Sequence, residues 1–493
     1  MKLAVTSSEQ ALTSIATDLL TLGVFDDYRE DRRVTDLDAA LGGVLLRAAD
    51  EEQFKAKKLA SFTLHTHGKL PAVRILLVGL GARKDFTAPD LRLVGARAAR
   101  TAATTSARSL TVAPPTGTDA SPDAVARFSA EGILLGRYRF DKYLAEDRRQ
   151  RDKLESASIV APGASNAALT RAEHTAAAIA RTRDLVNEPA AAATPSRLAE
   201  FAGEMAREHG LELKVLGRAE CTALGMGMFI AVAQGSPQEP KFIHVTYKPK
   251  KPNGKRVALI GKGVTFDSGG YSLKPSNAME DMKIDMSGAA AVIAAMDAIA
   301  TIGSEHEIHA IAACCENLVS GRAYKLGDVL TSMDGTTVEI NNTDAEGRLT
   351  LGDAITYART HVEPDEMFDF ATLTGACMVA LGPYTAGVMS DHDFLVKDWM
   401  ASAETTGEDM WRLPLNPRLR EQLKSPIADM RNTGDRMGGA ITAGLFLKTF
   451  TKGTPWVHVD LAGPASVTSG RPHQPKGGTG FAVATIIQYV ARS

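Results

Sequence analysis

The chain is organised around one nonapeptide, Asn341-Asn342-Thr343-Asp344-Ala345-Glu346-Gly347-Arg348-Leu349. The residues before it, 338–340, have the pattern of a strand end, and an amphipathic run to about Arg359 follows it. The nonapeptide is therefore predicted to be a strand-to-helix loop with Asp344 and Glu346 pointing into one cleft. An alternative is a capping box, in which Thr343 and Glu346 satisfy free N–H groups at the helix start. The nonapeptide alone leaves both interpretations open.

Length and composition restrict the class of protein. A chain of 493 residues is too long for one ordinary core and predicts two domains. With 56 basic and 58 acidic residues, the formal charge of -2 gives no global reason to expect a nucleic-acid partner. Four cysteines without a C-x-x-C pair favour a reducing compartment over a disulfide framework. The first ten residues lack a signal-peptide apolar region and 288–302 is too short to span a membrane, so a soluble, cytoplasmic protein is expected.

Apolar runs alternate with helical patterns along the whole chain, which is typical of α/β architecture. We predict a small N-terminal α/β domain over residues 1–160, a linker helix over 161–190, and a larger C-terminal α/β domain over 191–493 with a mostly parallel, mixed central sheet. Within these domains we predict a single helix over Asp36–Ala49 and a strand over Val257–Gly261. Sites in such a sheet lie beyond the carboxyl ends of the strands.

Two further segments carry charged residues at predicted strand or helix ends. The glycine-rich segment Gly261–Gly270 holds Lys262 and Asp267 among small neighbours, which would let a metal approach the backbone closely. Asp281 and Asp285 precede an apolar helix, where they are either charges favoured by the helix dipole or cation ligands. The position of Asp285 against the apolar helix favours a ligand, and that of Asp281 favours solvent.

Together these segments supply four carboxylates from three loops of one sheet: Asp267, Asp285, Asp344 and Glu346. Oxygen-rich clusters suit a pair of divalent ions, which when about 3.5–4 Å apart share a bridging hydroxide that attacks a carbonyl. A second metal signal, His306-Glu307-Ile308-His309, is much weaker. Its histidines are three apart, where the helical zinc motif has them four apart, and they lie in or beside a predicted strand.

The octapeptide at 342–349 resembles the signature of the leucyl aminopeptidase (cytosol aminopeptidase) family, most closely the bacterial aminopeptidase A type. The resemblance extends over most of the second half of the chain and more thinly over the first. Its segments are Glu131–Gly136, Tyr138–Asp141, Asp184–Pro189, Gly261–Gly270, Met282–Ala290 and Ala371–Ala376.

The resemblance implies a role for each matching position. The implied metal ligands, of which Asp267 and Glu346 bridge the two ions, are Lys262, Asp267, Asp285, Asp344 and Glu346. The implied catalytic residues are Lys274, which stabilises the oxyanion, and Arg348, which holds a bicarbonate that acts as the general base because arginine cannot. Lys262 must lose its proton to coordinate, and a neighbouring dication lowers its pKa. Implied substrate-binding residues are Met282, Thr372, Leu373 and Gly375, with ordinary core packing as the alternative for Met282.

The resemblance further implies an exopeptidase that uses two Mn²⁺ or Zn²⁺ ions to remove an N-terminal leucine or other apolar residue from peptides. It also implies a homohexamer with the N-terminal domains outside, in oligomerisation or regulation. An alternative is an additional role as a sequence-specific DNA-binding regulator. Its basic patch would consist of Arg92, Arg97, Arg100 and Arg108, which otherwise form a solvated helix face.

Overall fold

The computed structural model of the chain describes residues 2–6 and 11–491. The chain divides into two compact units, Met1–Ala176 with Ser469–Pro475, and Ala177–Thr468 with Lys476–Ser493. The division falls inside the long alanine-rich helix that the sequence predicts, which runs over Asn166–Asn187. Both units combine helices with a mostly parallel sheet, so the predicted fold class is confirmed.

The first unit contains a six-stranded sheet in the order β1-β6-β5-β2-β4-β3. All neighbouring strands are parallel except β3, which lies antiparallel to β4 at one edge. The strands are β1 (Lys2–Thr6), β2 (Leu19–Val24), β3 (Ser61–His65), β4 (Arg74–Gly79), β5 (Ser109–Ala113) and β6 (Ser156–Val160). The sequence does not predict β6, because this strand contains serine and alanine beside Ile159 and therefore carries little hydrophobic signal.

Four helices accompany this sheet: α1 (Arg32–Ala40), α2 (Val44–Glu51), α3 (Leu91–Thr105) and α4 (Pro122–Arg137). The prediction of a single helix over Asp36–Ala49 was wrong, because the helix is interrupted between α1 and α2. Gly42 and Gly43 have φ angles of +70° and +77°, a left-handed conformation that ends a helix and that glycine adopts without strain.

A buried ion-pair cluster joins α3 to α4. Glu131 is fully buried, and its carboxylate accepts hydrogen bonds from Arg92 Nε at 2.6 Å and Arg127 Nε at 2.8 Å. Burial alone would raise the pKa of Glu131, but the two guanidinium charges hold it below its ordinary value. The hypothesis of a basic patch was therefore wrong for Arg92, and at the surface Arg108 is also neutralised by Glu155, 2.6 Å away.

The second unit is built on an eight-stranded sheet in the order β15-β14-β17-β13-β9-β10-β8-β7. The four central strands β17, β13, β9 and β10 are parallel, while β14, β8 and β7 run antiparallel to a neighbour. The strands of this unit are β7 (Glu212–Leu216), β8 (Lys241–Tyr247), β9 (Arg256–Asp267), β10 (Glu307–Asn317), β11 (Val329–Thr331), β12 (Thr337–Glu339), β13 (Glu366–Ala371), β14 (Ala386–Met389), β15 (Met410–Arg412), β16 (Met430–Arg431), β17 (Trp456–Asp460), β18 (Ser466–Val467) and β19 (Gly477–Gly478).

Eleven further helices follow in chain order, the first being the long helix that contains the division: α5 (Asn166–Asn187), α6 (Pro195–His209), α7 (Arg218–Ala223), α8 (Gly227–Ala233), α9 (Ser276–Met279), α10 (Ser287–Ile302), α11 (Glu346–Tyr357), α12 (Gly375–Leu381), α13 (Asp393–Thr406), α14 (Gly439–Thr451) and α15 (Val483–Val490). The stretch Ser276–Ile302 has the length and hydropathy of a membrane span, but 83% of its apolar window is buried inside the fold. That burial is typical of a core helix. All four cysteines are free and buried.

The strand predicted over Val257–Gly261 is longer than expected and continues to Asp267. Gly261 does not start a turn. A Cβ there would lie 2.5 Å from Ala289 Cα, so the missing side chain lets α10 pack directly on β9. The turn begins only at Gly269 and Gly270, whose φ angles are +86° and +60°. Because the strand is longer, Lys262 lies within it and Asp267 is its last residue.

The contact between α3 and α4 generates a stability prediction. A Cβ on Gly132 would lie 2.4 Å from Arg92 O, so Gly132→Ala forces the two helices apart. We expect the free energy of unfolding to fall by about 1–3 kcal/mol, measured by urea denaturation. Gly321→Ala is the control, because a Cβ there meets nothing within 4 Å. Equal stability of the two variants would contradict the close packing.

Candidate active site

The nonapeptide follows β12, as predicted, and its last four residues, 346–349, form the first turn of α11. The capping-box alternative is wrong, because the helix N-cap is Ala345 and no side chain caps it. Thr343 instead faces the turn after β9. Its hydroxyl donates to Gly269 O at 2.7 Å and accepts from Ser272 N at 2.7 Å. Thr343 thus ties the nonapeptide to the segment that follows Asp267.

The four predicted carboxylates lie together with Lys262. Single oxygen atoms of Asp267, Asp344 and Glu346 all lie within 4.8 Å of one another. Lys262 Nζ connects this group to the fourth carboxylate, since it lies 2.7 Å from Asp285 Oδ1 and 2.8 Å from Glu346 Oε1. Asp344 is half-buried and the other four side chains are buried. The tertiary fold therefore brings three separate segments to one point at the carboxyl end of β9.

A second lysine, Lys274, contacts two carboxylates of the cluster, Asp267 and Asp344. Lys274 Nζ lies 3.0 Å from Asp267 Oδ2 and 2.6 Å from Asp344 Oδ1. Burial by itself would lower the pKa of both ammonium groups, but the surrounding carboxylates raise both above the ordinary lysine value. Without a further cation, both lysines are thus held as ammonium ions.

The carboxylates outnumber the ammonium groups, and burial and neighbouring charges shift their pKa values in different directions. Burial and the charge of Glu346 raise the pKa of Asp267 to about 7. The pKa of Asp285 is also raised, chiefly by burial. Burial acts on Glu346 as well, but Lys262 and Lys274 outweigh it and lower the pKa of Glu346. Three buried acids and the half-buried Asp344 against two ammonium groups leave an excess of negative charge that additional cations would neutralise.

The unpaired oxygen atoms test whether the residues fit metal ions. Asp285 Oδ2 and Glu346 Oε2 are buried, and among the described residues neither has a hydrogen-bond donor. A buried carboxylate oxygen requires a donor or a cation. Carboxylates with one amine form an oxygen-rich, mixed set of ligands, which suits ions such as Mn²⁺ and Zn²⁺. The residues present therefore fit a pair of divalent ions.

Glycines let these segments approach one another. A Cβ on Gly347 would lie 2.5 Å from Lys262 Cε and 2.7 Å from Nζ, and one on Gly269 would lie 2.8 Å from Asp344 Oδ1. These distances are too short for any side chain. The small residues between the charged ones, which the sequence analysis noted, are therefore a steric requirement of the cluster.

Arg348 is buried on the first turn of α11, and its Nη1 donates to Asn432 O at 2.8 Å. Burial lowers the pKa of this guanidinium to about 10, so it remains a cation at neutral pH. The sequence analysis missed Asn432, which belongs to no motif. Its side chain donates to Asn342 O at 2.6 Å and accepts from Asn341 N at 3.0 Å, so it holds the start of the nonapeptide.

The residues predicted to bind substrate lie on two segments next to the cluster. Thr372 follows β13, and its hydroxyl donates to Asp285 Oδ1 at 2.8 Å. Leu373 N donates to Asp460 Oδ1 at 3.2 Å, which makes buried Asp460 another residue that the sequence analysis missed. Gly375 begins α12 and borders open space, since a Cβ there would meet nothing within 4 Å. Met282 is partly buried and opens the 3-10 turn that contains Asp285.

The remaining sequence candidates have other surroundings. Asp281 is exposed, as expected, while Asp285 is buried. His309 contacts His244 Nε2 at 3.0 Å and Glu307 Oε1 at 2.9 Å, whereas the ring of His306 contacts Asn253. The two histidines of the weak zinc-like motif therefore have separate partners.

Known proteins are similar to this chain over most of its length. The catalytic-domain profile of the cytosol aminopeptidase family matches residues 180–487, and the N-terminal-domain profile of the same family matches residues 21–147. A probable cytosol aminopeptidase of Cyanothece sp. is 41% identical over 485 residues, covering 98% of each chain. One from Persephonella marina is 42% identical over 490 residues, covering 94% of this chain and 95% of its own.

Solved structures show the same similarity in three dimensions. A mutant of tomato leucine aminopeptidase superposes with a TM-score of 0.92 at 36% identity, covering 100% of this chain and 97% of its own. The bottromycin maturation enzyme BotP in complex with Mn superposes with a TM-score of 0.86 at 35% identity, covering 97% and 99%.

The contact between Gly347 and Lys262 generates a prediction about catalysis. In Gly347→Ala the added methyl group must displace the Lys262 side chain, which is 3% exposed and held by three partners. Since a shift of about 1 Å at a site lowers turnover by about 10²-fold, we expect a loss of that size in kcat for peptide hydrolysis. Gly321→Ala should retain full activity. Wild-type kcat in Gly347→Ala would contradict the geometry.

Proposed function

This chain belongs to the cytosol aminopeptidase family, a family of peptidases, and on that premise we propose that it is a two-metal exopeptidase. It hydrolyses the N-terminal residue, preferably leucine or another apolar residue, from peptides. The observation that carries the proposal is the cluster of four carboxylates and Lys262 at the carboxyl end of β9, all of them buried except the half-buried Asp344.

The residues that would hold the two ions are Lys262, Asp267, Asp285, Asp344 and Glu346, and Asp267 and Glu346 would serve both ions. When bound, the ions supply a nucleophilic hydroxide, bind the free α-amine of the substrate and polarise the scissile carbonyl. Capture of the amine explains why cleavage stops at the first residue. Lys262 takes part as a neutral amine, since a dication nearby reverses the effect of the carboxylates on its pKa.

Two cationic side chains act on the substrate and on the proton. Lys274, whose ammonium group lies at the edge of the cluster, donates to the oxyanion that develops on the scissile carbonyl. Arg348 stays protonated at neutral pH, so it cannot accept a proton and instead holds a bicarbonate that does. The carbonyl of Asn432 fixes the direction of the Arg348 guanidinium.

The substrate side chain is proposed to lie between Met282 and the segment that contains Thr372, Leu373 and Gly375. The open space beside Gly375 supports this placement. An apolar lining from Met282 and Leu373 favours leucine-like residues, because burying their side chains is stabilising there. Thr372 also contacts Asp285, so the wall of the pocket and a proposed metal ligand share a hydrogen bond.

The relatives support the identity of the ions and the location of the protein. The BotP structure contains Mn, and the mixed ligand set accepts Mn²⁺ or Zn²⁺. The name of the curated relatives, cytosol aminopeptidase, supports a cytoplasmic location. We further propose a homohexamer, as the family resemblance implies.

Removal of the metal is the first test of this function. Chelation should abolish hydrolysis of leucine p-nitroanilide, because the attacking hydroxide and the amine-binding group leave with the ions. Adding back Mn²⁺ or Zn²⁺ should restore the rate. In Glu346→Gln we expect kcat to fall by about 10³-fold, corresponding to several kcal/mol of lost transition-state stabilisation.

The control for this variant is Glu339→Gln. Glu339 ends β12 shortly before the nonapeptide, and its carboxylate accepts from Ser425 Oγ at 2.6 Å, outside the cluster. It should behave as wild type. Activity that is indifferent to the chelator, or undiminished in Glu346→Gln, would refute the metal mechanism.

Specificity can be tested at Gly375. In Gly375→Val the new side chain occupies the open space, so the kcat/KM for leucine substrates should fall relative to alanine substrates by about 10–200-fold, as for small steric changes in apolar pockets. Val379→Ala, an exposed position on the same helix, is the control. An unchanged ratio of leucine to alanine hydrolysis in Gly375→Val would place the side-chain pocket elsewhere.

A further inference from the structure

Asn317 is the last residue of β10, and it is fully buried beside Asp267, the last residue of β9. The two residues are paired in the parallel register of these strands only because the register shifts by one residue between Cys315 and Glu316. Without that irregularity Asn317 would lie opposite Phe266. Such bulges recur next to active sites, where they redirect a side chain.

The side chain of Asn317 connects two segments of the site. Its Nδ2 donates to Asp267 Oδ1 at 2.8 Å and to Thr343 O at 3.0 Å. Both partners are acceptors, so the amide nitrogen must face them, and this fixes the orientation of the amide. The main-chain carbonyl of Asn317 accepts from Ser268 N at 3.0 Å and from Ser268 Oγ at 2.8 Å. One residue thus joins the end of β9 to the nonapeptide.

These contacts distinguish the two oxygen atoms of Asp267. Oδ1 accepts from Asn317 Nδ2 and from Gly269 N, the latter at 2.9 Å, so donors occupy both of its lone pairs. Oδ2 faces the cluster, where its partner is Lys274 Nζ at 3.0 Å. The carboxylate therefore cannot rotate without breaking two buried hydrogen bonds.

We propose that Asn317 is a positioning residue for the metal pair. It holds Asp267 so that Oδ2 alone faces the ions, and it fixes the distance between Asp267 and the loop that contains Asp344. The inference rests on the proposed two-metal function. Residues that orient a metal ligand in this way change metal affinity although they do not touch the metal.

The test compares two variants that each remove a buried donor to Thr343 O. Asn317→Leu keeps a similar volume but removes the donors to both Asp267 and Thr343. Tyr324→Phe removes only the hydroxyl that donates to Thr343 O at 2.7 Å, and leaves the bond from Asn317 to Asp267 intact. We expect Asn317→Leu to weaken Mn²⁺ binding by about 10–100-fold in isothermal titration calorimetry of the full-length apoprotein, and to lower kcat accordingly. Tyr324→Phe should bind Mn²⁺ like the wild type.

The possible results test the role of Asn317 and the proposed two-metal function separately. If Asn317→Leu binds Mn²⁺ as tightly as the wild type, or if Tyr324→Phe weakens binding equally, the role assigned to Asn317 is overturned while the two-metal function stands. If the wild type itself binds no divalent ion, the proposed function fails, and the inference with it. The melting temperature of each apoprotein reports folding, and Asn317→Ala replaces Asn317→Leu if the leucine variant does not fold, with the same expected direction.

Discussion

The site depends on one electrostatic constraint, the placement of four carboxylates close to one another, three of them buried and one half-buried. Each would be ionised in water, and each loses solvation in the fold. Lys262 and Lys274 compensate part of this charge, and the pKa values of Asp267 and Asp285 remain raised, chiefly by burial. Such a cluster is unfavourable for a protein that uses it only as a scaffold, and favourable for one that binds cations there. Under the proposed function the same imbalance would favour Lys262 as an amine ligand, because a dication there would lower the pKa of its ammonium group.

The fold meets this constraint through the geometry of parallel strands. β9, β10 and β13 are neighbours, and their carboxyl ends deliver Asp267, Asn317 and Thr372 to one edge of the sheet. The segments that meet at this edge approach one another more closely than side chains normally permit. Gly261 lets α10 pack on β9, and Gly347 leaves room for Lys262. A site of this kind requires rigid elements, since the positions of charged groups set their pKa values.

The N-terminal unit also buries a carboxylate, but there the protein's own side chains neutralise its charge. Glu131 is completely buried, but two arginines neutralise it, and its pKa is lowered. No metal ion is needed to neutralise Glu131, and the three side chains join α3 to α4. The contrast shows why burial of an acid does not by itself indicate a site. What distinguishes the metal cluster is the excess of acids over bases and the carboxylate oxygens of Asp285 and Glu346 that have no donor among the described residues.

The sequence by itself determined the α/β class, the long alanine-rich helix and the charged residues of the site, because these follow from local periodicity and from a long, specific motif. It did not determine what Thr343 does: the local pattern fits a helix cap, but Thr343 bonds to Gly269 and Ser272, about 70 residues away in the chain. Nor did it reveal Asn317, Asn432 or Asp460, isolated polar residues outside any motif, whose partners are defined by strand register and loop packing. Only the tertiary structure decided these roles, because a hydrogen bond between distant segments leaves no periodic signal in either of them.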